Sequence, residues 1–287
     1  MRAAVLWAAW ATHGHRNEGD DVRPHMLSTR TRRASTAEAT RLWPGCHIPY
    51  AIVTAANCAE LQTPCTQRDR LFTPAAAEKL RGPLAAVAEH IHEQTGCTIA
   101  EGPGEVPPLE VVAGTECWIT RVGYHESVQM QLGWCSTHAH RGSITHEFLH
   151  ALGAEHEHQR ADRDRYITVA SSKDNCAPSA ARTLAPYDFK SIMHYFIGTS
   201  GCGIGVTPEG EALLTRAGLR ADDVGTADTM SQEDARGIRA LYGTAAPHRP
   251  AEASVALVAT LVATLVVALV AVYMCTAPKP TAYTLVI

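Results

Sequence analysis

The chain has 287 residues, of which 46% are hydrophobic and 19% are charged, and this composition excludes a disordered tail and a fibrous repeat. The formal net charge of −4 does not favour a nucleic-acid partner, which usually requires an excess of basic residues. Nine cysteines are present, and only Cys275 lies in the apolar C-terminal segment, so the remaining even number predicts disulfides and an exported protein.

The N-terminal region has the pattern of a targeting segment followed by a segment that is removed. Residues 1–11 combine Arg2, an apolar run and small residues at a cleavage position, which predicts a signal peptide. An ordinary N-terminal extension or a misassigned start codon is the alternative. Residues 12–33 are polar and end in a dibasic stretch at Arg33, a pattern that processing proteases cut, although a charged run can also be only a solvated surface.

Hydrophobic periodicity predicts the elements that follow. Leu84, Val87 and Ile91 have helical spacing and predict a helix that begins at Pro83 and ends before Gly96. Little periodicity is present over residues 174–228, and a capping box at Ser231 predicts a closing helix. The expected strands are 48–53, 109–112, 117–122 and 127–132.

The C-terminal region contains a candidate membrane span. Residues 253–274 carry no charge, no Pro and no Gly, and at about 1.5 Å per residue a helix of this length crosses a bilayer core. A buried globular helix is the alternative. Residues 245–252 are expected to form a stalk before the span, and residues 275–287 a short tail after it. The number of cysteines predicts that most of the chain lies outside the cell or in a lumen.

The segment from His146 to His156 carries the strongest functional signal. On a helix, residues four positions apart share a face, so His146 and His150 can bind one ion. Glu147 would lie beside that ion, where it can take a proton from a bound water. Gly153 can end the helix in a left-handed conformation, so that the chain turns back and His156 provides a third ligand.

Three nitrogen ligands with an open position are typical of a catalytic zinc site. A chance HExxH in this chain has odds of roughly one in twenty, and adding the Gly and the third His lowers them to on the order of one in five thousand. The spacing of His138, His140 and His158 gives no geometric reason to place them at the same ion, so these three residues are interpreted as non-ligands.

These residues resemble the astacin branch of the metzincin zinc proteases. Three features favour astacins: Glu157 directly after the third His, the continuation 156–167, and the sequence Ser-Ile-Met-His-Tyr at 191–195, which is similar to the astacin Met-turn. The resemblance covers residues 42–242. It implies an α+β, bilobal catalytic domain over residues 34–244, with a twisted mixed sheet and two helices in the N-terminal lobe and a largely irregular C-terminal lobe with a closing helix.

The resemblance also implies one Zn²⁺ per chain, bound by the three histidines. Met193 would lie beneath these ligands as a packing base. Tyr195 would be a displaceable zinc ligand whose hydroxyl can move to the transition-state oxyanion. The alternative is that Met193 and Tyr195 are ordinary core residues.

Astacins are made as precursors, and the resemblance extends to this feature. Asn17-Glu18-Gly19-Asp20 is similar to the family motif whose Asp occupies the zinc, which makes Asp20 a candidate propeptide latch. Cleavage after Arg33 by a processing protease would free Ala34. In the family the new ammonium is buried and pairs through water with the residue equivalent to Glu157.

The resemblance implies a disulfide between Cys117 and Cys135. Cys97 matches another family cysteine, but its usual partner near the C-terminus is missing. The cysteines without a family equivalent are Cys46, Cys58, Cys65, Cys176 and Cys202; a local Cys58–Cys65 pair is expected, and the sequence leaves the other pairings open.

The resulting expectation is a zinc metalloendopeptidase in which metal-activated water attacks a peptide bond and Glu147 is the general base. An extended peptide substrate is expected along an edge strand, for which the segment 127–132 is the candidate. Two alternatives are a membrane-anchored binding module on an inactive protease fold, which predicts a broken ligand set, and an enzyme of another metzincin branch.

Overall fold

The computed structural model describes residues 42–199 and 201–244 of the chain. The predicted signal peptide (1–11), propeptide (12–33), stalk (245–252), membrane span (253–274) and tail (275–287) lie outside these residues. No helix in the described part of the chain is long and apolar enough to cross a membrane. Its helices are α1 (Pro74–Thr95), α2 (Arg141–Ala151), α3 (Pro208–Ala217) and α4 (Gln232–Tyr242), and its strands are β1 (His47–Ile52), β2 (Thr98–Glu101), β3 (Leu109–Val112), β4 (Cys117–Ile119), β5 (Gln129–Leu132), β6 (Ile167–Val169) and β7 (Ile204–Val206).

The N-terminal lobe is built on a mixed five-stranded sheet with the order β2-β1-β3-β5-β4. All neighbours are parallel except β4, which runs antiparallel to β5. The expectation that the segment 127–132 forms an edge strand is therefore wrong: β5 lies between β3 and β4, and β4 is the edge. Because β5 pairs with β3 on one side and with β4 on the other, β4 is left at the edge of the sheet. The hydrophobicity of the two short segments 117–122 and 127–132 does not by itself show which one lies at the edge.

Helices α1 and α2 pack with the sheet around one apolar core. Fully buried side chains such as Leu84, Ile91, Val111 and Phe148 fill it, and each contributes about 1.5–3 kcal/mol of burial free energy. This core fixes the position of α2, the helix that carries the HExxH residues.

Helix α1 begins at Pro74 and not, as predicted, at Pro83. The Oγ1 atom of Thr73 accepts a hydrogen bond from the backbone N–H of Ala76, which caps the helix, and Pro74 occupies the first helical position. Pro83 lies inside the helix. Pro74 and Pro83 are both compatible with the first turn of a helix, and the cap at Thr73 shows that the helix starts at Pro74. Gly96, with a φ of 77°, ends the helix as expected.

The C-terminal lobe is more regular than the sequence suggested. β6 and β7 form a two-stranded antiparallel sheet, and α3 lies within the segment for which no periodic element was expected. Thr207 caps α3, Pro208 opens it and Gly218 closes it. Periodicity missed this helix because only Gly210 and Leu214 in it are buried, so its apolar face is very short.

Among the described residues, four disulfides are present: Cys46–Cys97, Cys58–Cys65, Cys117–Cys135 and Cys176–Cys202. The expected Cys58–Cys65 pair is present. Cys97 pairs with Cys46, a residue for which the family resemblance gave no role. The register explains this pair: His47 lies beside Thr98 in the parallel β1–β2 ladder, so the residues that precede them are also neighbours.

Two glycine substitutions are expected to have opposite effects on stability. A Cβ at Gly142, in the first turn of α2, would lie 2.7 Å from the Cα of Asp228, so Gly142→Ala must displace main chain and is expected to lower the free energy of unfolding by about 1–3 kcal/mol. A Cβ at Gly237 in α4 meets no atom within 4 Å, so Gly237→Ala is expected to raise the free energy of unfolding by about 0.5–1 kcal/mol. Urea unfolding of both variants tests this pair, and an unchanged or stabilised Gly142→Ala protein would contradict the close approach of α2 to Asp228.

Candidate metal centre and active site

Helix α2 brings the first part of the site together. His146, Glu147 and His150 are all buried, with relative exposures of 3%, 3% and 5%. Two contacts hold the C-terminal end of this helix: the indole Nε1–H of Trp43 donates to the carbonyl of Ala151 at 2.8 Å, and the N–H of Gly123 donates to the carbonyl of His150 at 2.9 Å. The helix end is therefore fixed from the N-terminal segment and from the loop after β4.

A tight turn after α2 brings the third histidine back to the first two. Gly153 has a φ of 103°, a conformation that favours glycine, and the N–H of Ala154 donates to the carbonyl of Leu149 at 2.9 Å. The ring centroid of His156 then lies 4.5 Å from that of His150 and 5.2 Å from that of His146. The turn therefore brings the three imidazole rings close to one another.

The Nδ1 atom of each of these histidines has a hydrogen-bond acceptor. His146 Nδ1 lies 2.9 Å from the carbonyl oxygen of Ile192, and His150 Nδ1 lies 2.7 Å from that of Ala154. His156 Nδ1 lies 2.9 Å from Gln159 Oε1. Because these oxygens can only accept, each contact favours the tautomer with the proton on Nδ1, in which Nε2 is the nitrogen that can bind a metal.

The donor set fits a divalent metal ion. One ligand atom from each of the three histidines lies within 4.8 Å of the other two. The Nε2 atoms of His150 and His156 are 3.2 Å apart, close to the roughly 3.3 Å that separates two nitrogens bound tetrahedrally to zinc at about 2.0–2.1 Å.

The turn at residues 191–195 contacts His146 through the carbonyl of Ile192 and His156 through the ring of Tyr195, and it is held by the closing helix. Met193 is buried, with a relative exposure of 2%. The carboxylate of Asp234 accepts hydrogen bonds from the Ser191 hydroxyl at 2.6 Å and from the Ile192 N–H at 3.1 Å. Asp234 also accepts from the Ser231 N–H as part of the α4 capping box, so it connects α4 to the carbonyl that orients His146.

Tyr195 lies in an aromatic cluster against the third histidine. Its ring centroid is 4.7 Å from that of His156 and 4.0 Å from that of His158, on which it stacks. Burial lowers the pKa of His158 well below its usual value and lowers the pKa of His194 to about 4, so both rings are neutral at pH 7. His158 therefore packs behind the site as a neutral ring, and the described residues contain no metal-ligand cluster that includes His138, His140 or His158.

The carboxylate of Glu157 lies in a largely buried polar region. Its carboxylate accepts from Arg160 at 2.9 Å and from the N–H of Asp188 at 2.7 Å. Burial raises the pKa of Glu157 to about 8, although the Arg160 guanidinium opposes this shift. Arg160 is shared with Asp162, at 2.9 Å, so Glu157 lacks a cation of its own among these contacts.

The remaining predicted residues are placed as follows. Cys117 at the start of β4 and Cys135 after β5 form a disulfide beside the segment that leads into α2. Asp20 and Arg33 lie outside the described residues. The sequence reasoning missed Gln159 and the link from Asp234 to the 191–195 turn; the capping box was a signal for Asp234, whereas a glutamine three residues after a ligand is not a signal by itself.

Comparison with known proteins identifies the same family. The family model of the astacin peptidases matches residues 71–243. Zinc metalloproteinase nas-37 of Caenorhabditis elegans is 26% identical over 227 residues, which are 75% of this chain and 26% of that protein. Astacin-like metalloendopeptidase of Coturnix japonica is 27% identical over 226 residues, which are 71% of this chain and 54% of that protein. The chain thus spans between about a quarter and about half of these relatives.

A solved structure shows the same fold. High choriolytic enzyme 1 of Oryzias latipes, a hatching enzyme zinc-protease, has a TM-score of 0.52 and 22% identity, with coverage of 72% of this chain and 94% of that chain. The α+β fold with its mixed sheet is therefore of the astacin type. From the family match, the fold and the three converging histidines, the chain belongs to the astacin family, whose metalloproteases use a catalytic zinc ion.

Proposed function

We propose that this chain is a zinc-dependent endopeptidase and that His146, His150 and His156 hold the metal. The observation that carries the proposal is that one ligand atom of each histidine lies within 4.8 Å of the other two, while the Nδ1 atom of each ring lies within hydrogen-bond distance of an acceptor oxygen. Glu147 follows the first ligand on α2 and is buried with it. An imidazole set with a neighbouring carboxylate is the arrangement that metal-assisted hydrolysis requires.

The residues around the metal have distinct roles in the proposed reaction. Zinc, when bound, would lower the pKa of a coordinated water towards about 7 and polarise the scissile carbonyl. Glu147 accepts the proton of the attacking water and later delivers it to the departing amine. The Tyr195 hydroxyl donates a hydrogen bond to the oxyanion of the tetrahedral intermediate, and Met193 supports the ligands from below.

The substrate in this proposal is an extended peptide that pairs with β4. The N–H of Thr120 donates to the carbonyl of Gln129, and the N–H of Gly133 donates to the carbonyl of Glu116. Glu116 and Thr120 flank β4, so even-numbered positions along this strand face β5. The main-chain groups of Cys117 and Ile119 therefore face the other side. Within the described ranges no strand pairs with that side of β4, which supports β4 as the peptide-binding edge.

A latent precursor is part of the proposal. Asp20 would occupy the metal in the precursor, and a processing protease would cut after Arg33. The new ammonium of Ala34 would then pair with Glu157. Burial of Glu157 beside a shared Arg160 supports this step, because a further cation nearby would stabilise the buried carboxylate.

The four disulfides indicate an extracellular or secreted protein. We propose that residues 1–11 direct export and that residues 253–274 anchor the chain in a membrane. If the catalytic domain were cleaved from this anchor, it would be a secreted protein. Sedimentation of the expressed chain with membranes, before and after deletion of residues 253–287, tests the anchor.

The second candidate function, a membrane-anchored binding module on an inactive protease fold, has less support. An inactive fold predicts loss of at least one ligand or of the acid–base residue, and all of these residues are present. Zinc content and digestion of a generic peptide, measured with and without a chelator, distinguish the two functions. We expect stoichiometric zinc and chelator-sensitive cleavage; bound zinc without cleavage by the processed protein would favour the binding module.

Tyr195→Phe is expected to retain zinc and to lower kcat for peptide cleavage by about 10²–10³-fold, because it removes one donor to the oxyanion while keeping the ring that packs on His156. Steady-state kinetics together with metal analysis checks this expectation. Tyr166→Phe, which changes a second C-terminal-lobe tyrosine that stacks on Tyr187, is the matched control. Equal activity of the two variants would remove Tyr195 from its role.

A further inference from the structure

The three candidate zinc ligands differ in what orients them. The Nδ1 atoms of His146 and His150 donate to main-chain carbonyls, which no substitution can remove directly. The Nδ1 atom of His156 donates to a side chain, the Oε1 atom of Gln159, at 2.9 Å. Among the three, His156 alone depends on the identity of a second side chain for this hydrogen bond.

Gln159 is itself held by a neighbouring segment, residues 175–179, which we call the strap. The Nε2 atom of Gln159 donates to the carbonyl of Ala177 at 3.2 Å, and this contact directs the amide oxygen at His156. The main-chain carbonyl of Gln159 accepts from the N–H of Ser179 at 2.6 Å. Side chain and main chain of Gln159 are thus both fixed to the strap.

The strap is tied to the lobe by a disulfide that the family resemblance did not supply. Cys176 in the strap is bonded to Cys202, just before β7, and both are buried. The carbonyl of Asn175 accepts from His158 Nε2 at 2.9 Å. Arg163 donates to the carbonyls of His158 and Cys176, so the strap and the segment after His156 share one buried guanidinium.

We propose that Gln159 is a positioning residue that fixes the tautomer and the orientation of His156, and that the Cys176–Cys202 disulfide maintains this contact through the strap. The inference rests on the proposed zinc site and adds to it a determinant of metal affinity. The physical reason is general: an acceptor on the second nitrogen of a ligating histidine keeps the proton off the metal-binding nitrogen and fixes the ring.

The test measures the zinc dissociation constant of the full chain by competition with a chromogenic zinc chelator. Gln159→Met keeps the side-chain length and removes the acceptor, and it is expected to weaken zinc binding about 10–100-fold. Gln159→Glu keeps an acceptor at the same position and is expected to bind zinc within about threefold of the wild type. Gln67→Met, at an exposed loop position, is the matched control and is expected to show no change.

The outcomes separate a positioning role from a merely structural one. Both Gln159 variants lose the amide donor to Ala177, so the difference between them isolates the acceptor. Equal weakening in both variants, or unchanged affinity in Gln159→Met, would overturn the inference and leave the proposed function intact. If Gln159→Met does not fold, Gln159→Leu replaces it as the variant without an acceptor: weaker zinc binding than in Gln159→Glu supports the inference, and equal affinity of the two variants overturns it.

The disulfide is tested by a second pair of variants. Replacing Cys176 and Cys202 by Ser is expected to weaken zinc binding about tenfold. Without the disulfide the strap is no longer covalently bonded to the segment before β7, so its contact with Gln159 is less well fixed. Replacing Cys58 and Cys65 by Ser, which opens a disulfide in the N-terminal lobe, is expected to leave the zinc affinity unchanged. Equal effects of the two pairs would overturn the role of the strap, and a wild-type chain that does not bind zinc would overturn the proposed function as well.

Discussion

Glu147→Gln is expected to bind zinc normally and to lower kcat/KM for peptide hydrolysis by about 10²–10⁴-fold. The side chain of Gln has the same shape as that of Glu but cannot accept the proton of the attacking water. The metal should remain because the ligand atoms are the ring nitrogens of the three histidines, and none comes from residue 147. Metal analysis and cleavage of a fluorogenic peptide by the same preparation provide the two measurements.

Glu211→Gln is the control for this substitution, since it makes the same chemical change at an exposed position of α3 and should retain full activity. Retained turnover in Glu147→Gln would remove Glu147 from its proposed role. Loss of zinc in that variant would instead show that the carboxylate supports the ligand geometry.

Asp234→Ala is expected to lower the free energy of unfolding by about 2–5 kcal/mol. The substitution leaves the main-chain N–H groups of Ile192 and Ser231 without their acceptor and removes half of the α4 capping box. Zinc affinity should fall as well, because the carbonyl that orients His146 belongs to Ile192. Urea unfolding and chelator competition measure the two effects.

Asp222→Ala removes an exposed carboxylate in the same lobe and is expected to change stability by less than about 0.5 kcal/mol, which makes it the matched control. If Asp234→Ala unfolds at the same urea concentration as the Asp222→Ala control, the 191–195 turn does not depend on α4. A large loss of stability with unchanged zinc affinity would show that Ile192 is held in place by its own packing.

The local parts of this protein could be predicted from sequence because their causes are local. The spacing of His146 and His150 places both on one helix face whatever surrounds them, and Gly153 permits the turn that brings His156 back. The closing helix was predictable for the same reason, since Ser231 and Asp234 form the capping box within one turn. The signal peptide and propeptide assigned to residues 1–33, and the stalk, membrane span and tail assigned to residues 245–287, remain predictions.

Elements with weak local signals were predicted less well. Periodicity predicts that α1 starts at Pro83, whereas the cap at Thr73 places the start at Pro74. Periodicity gives no signal for α3 because few of its residues are buried, although the caps at Thr207 and Gly218 mark its two ends. A short apolar run does not indicate which strands lie beside it, so the sequence does not distinguish the inner strand β5 from the edge strand β4.

The family, the ligand types and their spacing can be read directly from the sequence, because a HExxH helix, a glycine turn and a third histidine occur within eleven consecutive residues. The surroundings of these residues are set by the folded chain: β4 is the sheet edge, Cys97 pairs with Cys46, Gln159 contacts His156, and Asp234 contacts the 191–195 turn. These contacts join residues from different elements, and their geometry depends on how the sheet, the strap and α4 pack together. Such packing is a property of the whole fold, which no single stretch of sequence encodes.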